Sequence, residues 1–144
     1  MSAERLARAA ADAMWAQDKA SRALGMTITE IAPGAATLTM PVSETMVNGH
    51  GLCHGGYIFT LADSAFAFAC NSHNQRAVAQ HCAITYLAPG RLGDLLTARC
   101  REVSRAERSG VYDVTVTRQD GEVIAEFRGL SRTVKGTLVL ETGV

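Results

Sequence analysis

Two features of the run Asn48-Gly-His-Gly-Leu-Cys-His-Gly-Gly-Tyr-Ile-Phe-Thr-Leu-Ala-Asp63 bear directly on chemistry. The first is the pair Gly55 and Gly56, which stands where a largely apolar helix begins. The leading amides of a helix have no intrahelical acceptor, and the helix dipole places partial positive charge on them. Such an end can hold a developing oxyanion. Glycine there lets a bulky carbonyl approach the backbone with no Cβ in the way. The second feature is Asp63, the only formally charged residue between the loop and Arg76, two turns into a helix that otherwise reads as core. A buried carboxylate is costly unless it is paired or used, and desolvation raises its pKa, which suits a general base or a poised nucleophile. The competing reading is a structural aspartate bonded to a hydroxyl such as Thr60 or Ser64; the adjacent amide trap favours the catalytic one.

The same run contains other reactive side chains. His50, Cys53 and His54, with His73, His81 and Cys82 further on, include zinc-ligand types, but their spacing matches no familiar zinc module, so no metal and no cofactor is expected. A Cys53/His54/Asp63 nucleophilic triad is conceivable on composition. However, sequence neighbours rarely aim their side chains at one another, and Cys53 reads better as a small buried apolar residue. His54 is expected to orient the glycine loop through hydrogen bonds. Asn48 is expected to fasten that loop or orient a water, since an amide cannot titrate. Phe59, Phe66 and Phe68 are mainly core, with Phe59 expected to line a substrate pocket beside Gly56 and Ser64. Five arginines, Arg91, Arg99, Arg101, Arg105 and Arg108, face three acids, Asp94, Glu102 and Glu107, over a short stretch. A solvated strand face is the simpler account, and a phosphate-bearing ligand is the other.

These groups need a scaffold, and the composition bounds it. A chain of 144 residues, 47% hydrophobic and 19% charged, has room for one domain that buries roughly 70% of its unfolded surface. Fourteen basic residues balance fourteen acidic ones, so no global field gathers nucleic acid or anionic lipid, and neither is expected as a partner. The four cysteines form no C-x-x-C pair and no disulfide-dense pattern, which fits a reducing cytoplasm. Charges interleaved through the first 25 residues leave no secretory core. The apolar run from Gly55 to Cys70 is too short to span a bilayer and carries Asp63 in its middle.

Periodicity supplies the elements. Apolar residues from Ala3 to Leu24, closed by Gly25, predict one amphipathic N-terminal helix. Met26–Ile31 and Ala36–Val42, split by Pro33-Gly34, predict a hairpin. The Ala- and Phe-rich segment, about residues 54–72, predicts a helix that is buried all round. Strand-like runs follow at Val78–Leu87, Leu95–Val103, Gly110–Arg118 and Glu122–Val134, the last three joined as a meander with Asp120-Gly121 at a turn. The sum is α+β: about six strands, a surface helix and a sequestered helix, in one domain over residues 1–144, with residues 136–144 either an added strand or disordered. One helix on one face leaves sheet edges open, so pairing with a second copy is expected.

At Asn48–Ser72 the pattern N-G-H-G-x-C-H-G-G-x-x-F-x-L-A-D-x-A-F-A-x-A-C-N-S closely resembles the phenylacetic acid degradation thioesterases of PaaI type, within the hotdog-fold acyl-CoA thioesterase superfamily. Asp18 with Ala23-Leu-Gly25, Ala88-Pro-Gly90, Gly93-Asp94, Gly110-Val-Tyr-Asp113 and Phe127-Arg-Gly129 fall where that family has similar elements. The resemblance implies a curved antiparallel sheet wrapped around the long helix, dimerised edge to edge and assembled into tetramers, with sites at the dimer interface. It implies that the Gly55 N–H polarises a thioester carbonyl and that Asp63 of the facing subunit acts as base or nucleophile. Asn48 would position substrate or water, and His54 would hold the loop. The activity implied is hydrolysis of an arylacetyl-CoA such as phenylacetyl-CoA or hydroxyphenylacetyl-CoA; the local arginine excess could then meet the nucleotide phosphates of coenzyme A. The alternatives are a thioesterase for other short or medium acyl-CoA or carrier-bound acyl groups, or a module that binds acyl-CoA without cleaving it.

Overall fold

The computed structural model describes residues 1–141. Two helices open the chain, α1 (Ala3–Gln17) and α2 (Lys19–Ala23). The apolar periodicity predicts one helix, and the break falls at Asp18. Its backbone (φ −87°, ψ 89°) leaves the helical region, and its carboxylate accepts from the Ser21 N–H at 2.9 Å and the Ser21 hydroxyl at 2.7 Å. Aspartate is a strong N-cap, and here it ends one helix by starting another.

The strands β1 (Thr27–Ala32), β2 (Ala35–Pro41), β3 (Ala77–Tyr86), β4 (Leu95–Ala106), β5 (Ser109–Thr117) and β6 (Val123–Thr133) form one sheet in the order β1-β2-β4-β5-β6-β3, antiparallel throughout. The predicted hairpin is β1–β2 and the predicted meander is β4–β5–β6. Alternation decides the faces: Leu38 and Met40 of β2, Leu96 and Ala98 of β4, and Tyr112, Val114 and Val116 of β5 all point inward and are buried.

Against that inner face lies α3 (Gly55–Cys70), packed mainly on β2, β4 and β5. Leu61, Ala62, Ala65, Phe66, Phe68 and Ala69 are fully or almost fully buried. Burial is not complete around the helix. Gly56, Thr60, Asp63, Ser64 and Ala67, spaced by three, four or one residue, form a partly open stripe. In chain order α3 leaves β2 near one edge and feeds β3 at the other edge, so this stripe runs beside an edge strand. That strand is thinly covered: Val78 is 50% and Tyr86 47% exposed.

Beyond the helix, Asn74 in the left-handed region (φ 61°) accepts from the Leu138 and Val139 N–H groups at 3.0 Å each and donates to the Val139 carbonyl. Residues 136–141 form no strand and are held by that asparagine; the remainder of the tail expected at residues 136–144 lies outside the described residues. No helix among those described is long and apolar enough to cross a membrane.

Candidate active site

The loop before α3 is pinned from several sides. The Asn48 side-chain oxygen accepts from the His50 N–H (2.9 Å) and the Leu52 N–H (3.2 Å), forming the fastening role read from its type. The Cys53 N–H donates to the Gly90 carbonyl and the His54 N–H to the Met46 carbonyl, both at 2.8 Å. His54 is the N-cap of α3, where its Nδ1 accepts from the Gly56 N–H at 3.0 Å and its carbonyl accepts from the Tyr57 N–H at 3.0 Å. These bonds account for Gly56 and Tyr57. No acceptor among the described residues takes the Gly55 N–H, which leaves it as the free donor of the helix end.

Asp63 sits two turns along on the open stripe. Thr60 donates instead to the Gly56 carbonyl (2.8 Å). The Ser64 hydroxyl shares a 2.8 Å bond with Ser21, which bonds Asp18, so Ser64 ties α3 to the N-terminal helices. Neither hydroxyl satisfies Asp63. Its recorded polar neighbour is the Cys82 thiol of β3, donating at 3.9 Å, and no cation pairs with it among the described residues. Burial therefore pushes the Asp63 carboxyl above its ordinary range, with the thiol hydrogen bond opposing.

Cys53 is displaced as a nucleophile. Burial, with a smaller contribution from the Asp94 charge, pushes its pKa up to about 11, so it is a thiol at neutral pH. All four cysteines are free. Among the described residues no three His, Cys, Asp or Glu side chains converge as a metal set. Phe59 makes an edge contact with Phe127 at 5.5 Å between ring centres, so most of its ring serves the core.

Tyr86, absent from the candidates read in the sequence, belongs with them. Its hydroxyl donates to the Gly55 carbonyl at 2.7 Å, and it shares a cleft of about 420 Å³ with Asn48, Leu52, Gly55, Ile58 and Pro89. A roomier cavity of about 670 Å³ lies elsewhere, between Met14, Asp18, Asn71, Arg76 and Val78, and includes none of the seven candidates. Of the arginines, Arg99 and Arg101 alternate with buried Ala98 and Cys100 and so lie on the outer sheet face, where Arg101 meets Asp113 at 3.6 Å. Arg91 is in the bridge with Leu52 at the cleft.

One distance governs what a single chain can do. Gly55 and Asp63 are eight residues apart on one helix, which separates them by about 12 Å along its axis. One carbonyl cannot meet both.

Comparison with known proteins gives a consistent result. The sequence profile of the thioesterase superfamily matches residues 50–125. The chain is 44% identical to the acyl-coenzyme A thioesterase PaaI of Escherichia coli over 131 residues, 91% of this chain and 94% of that protein. The solved structure of the E. coli PaaI protein from the phenylacetic acid degradation operon superposes with a TM-score of 0.93, covering 94% of this chain and 99% of that one. A Streptococcus mutans protein solved bound to acetyl-CoA is 31% identical, with a TM-score of 0.75 over 78% of this chain and 90% of that one.

Proposed function

The chain belongs to the thioesterase superfamily, has the hotdog fold and is an acyl-CoA thioesterase; on that premise we propose that it hydrolyses arylacetyl-CoA thioesters in the cytoplasm, phenylacetyl-CoA and its ring-hydroxylated relatives foremost, at sites shared between two copies. The observation that carries the reading is the pairing, on one helix, of a glycine N–H with no acceptor and a half-buried carboxylate with no cation beside it among the described residues. The first can stabilise the oxyanion of a tetrahedral intermediate, an effect worth on the order of a hundred- to a thousandfold. The second, at a raised pKa, can activate water or attack the carbonyl itself, worth on the order of a hundred- to ten-thousandfold.

Roles follow for the neighbours. His54 holds the loop through the Gly56 N–H, and Asn48 fixes the loop with its side-chain oxygen, leaving its amide N–H groups for substrate or water. Gly56, Phe59 and Ser64 would border the acyl group along the partly open side of α3. Arg91, whose backbone bridges Leu52 at the cleft, would meet a nucleotide phosphate of coenzyme A. Pairing of β3 edges in a dimer, and of dimers in a tetramer, would cover the exposed Val78 and Leu87. The free thiols support a reducing compartment.

Thiol release from a panel of acyl-CoAs tests the assignment, with Asp63→Asn alongside the unaltered chain. Arylacetyl thioesters should turn over fastest, and the substitution should lower kcat on the order of a hundredfold or more while the oligomer persists. Tight binding of an acyl-CoA by both proteins without cleavage would replace the enzyme with a binding module.

A further inference from the structure

An oxyanion donor is effective only when it is held in place before the charge develops, because ordering it during the reaction consumes the stabilisation it offers. Gly55 is a poor candidate for such stillness. It begins a helix, it has no Cβ to pack, and its backbone is the least restrained of any residue type. The structure restrains both of its peptide planes. The His54–Gly55 plane is held through the His54 carbonyl, which accepts from the Tyr57 N–H. The Gly55–Gly56 plane is held at one end by the Gly56 N–H on His54 Nδ1, and at the other by the Tyr86 hydroxyl on the Gly55 carbonyl at 2.7 Å.

We infer that Tyr86 is a positioning residue for the oxyanion donor: its hydroxyl, bonded to the Gly55 carbonyl, keeps the Gly55 N–H aimed at the place the thioester oxygen occupies. The inference rests on the reading of Gly55 as that donor.

Fit on both sides supports it. A Cβ placed at Gly55 would lie 2.9 Å from Tyr86 Cζ and 3.1 Å from its hydroxyl oxygen, so the ring occupies the space that only glycine leaves open. Tyr86 is itself anchored: its backbone pairs with Ala125 of β6, and the next residue, Leu87, donates to the Ile124 carbonyl at 2.8 Å. The residue is 47% exposed and lines the cleft, so its contact with Gly55 lies there rather than in the core, where it would serve packing alone. Burial raises the pKa of the phenol, so the group remains a protonated donor at neutral pH. The geometry of β3 extends the point. Four residues along a strand span about 13 Å, close to the 12 Å or so between Gly55 and Asp63 on the helix. Cys82 and Tyr86, four apart on one face of β3, thus each touch one of the two reacting groups.

Steady-state kinetics of Tyr86→Phe with phenylacetyl-CoA test the role, since phenylalanine keeps the ring and removes only the hydroxyl. The expected result is a fall in kcat of about three- to tenfold, the value of one hydrogen bond, with KM unchanged within about twofold and with melting temperature and oligomer size unaltered. Wild-type kcat and KM in Tyr86→Phe would overturn the inference. So would a raised KM at unchanged kcat, which would mean that the hydroxyl contacts the ligand instead. An unaltered chain that releases no thiol would remove the thioesterase reading, and this inference with it; an active chain indifferent to the loss of the hydroxyl removes only this inference.

Discussion

Asp63 owes its basicity to burial rather than to a charged neighbour. Desolvation raises its pKa, and the Cys82 thiol, donating at 3.9 Å, stabilises the charged form and draws the pKa partly back. Cys82 is held as the neutral thiol, because burial and then the charge of Asp63 push its own pKa up. A base or nucleophile works only when ionised, so kcat/KM should fall as pH drops through the Asp63 pKa, with an acid limb above the ordinary carboxylate value. Cys82→Ala removes this donor, so the limb should move to higher pH. Cys82→Ser restores a donor and should return it toward the original position. The pH profile of thiol release reads both; a limb that ignores both substitutions would show that the thiol does not act on Asp63.

At the scale of elements, close packing of α3 on the sheet is decided at glycine. A Cβ at Gly129 of β6 would meet three atoms of the Phe66 ring at 2.8 Å, and that ring also packs on Tyr112 and Phe127. Gly129→Ala should therefore destabilise the fold by about 1–3 kcal/mol, measured by denaturant unfolding. A fully stable variant would mean that α3 can shift away without cost. Much of this level was legible beforehand. Alternating Leu38 and Met40, or Tyr112, Val114 and Val116, carry strand period and inward face in their spacing. The N-terminal break was not, since the apolar period runs through Asp18 and only the local cap with Ser21 interrupts it. Within the site, Gly55, His54 and Asp63 are neighbours in sequence and so were readable together. Tyr86 and Cys82 were not, because their meeting with α3 depends on β3 pairing with β6 at the far edge of the sheet, a non-local fact that no spacing encodes.

For the molecule as a whole, the separation of about 12 Å between the amide and the carboxylate of one helix means that the proposed pairing of these two groups on one carbonyl calls for two copies of the chain. Asp63 on the open stripe of α3 meets Cys82 of the edge strand β3, so a twofold pairing that continued the sheet would bring a second helix near the first. Two singly defective chains distinguish a shared site from a private one. Asp63→Asn keeps the amide and loses the carboxylate; Gly55→Ala keeps the carboxylate and, by pressing on Tyr86 at 2.9 Å, disrupts the amide. Each alone should be nearly inactive. When the two are unfolded together in equal amounts and refolded, random pairing makes about half of the dimers mixed, each with one intact site, so about a quarter of the wild-type activity should return. If each chain instead housed its own complete site, every site in the mixture would hold one defect, and mixing would restore nothing.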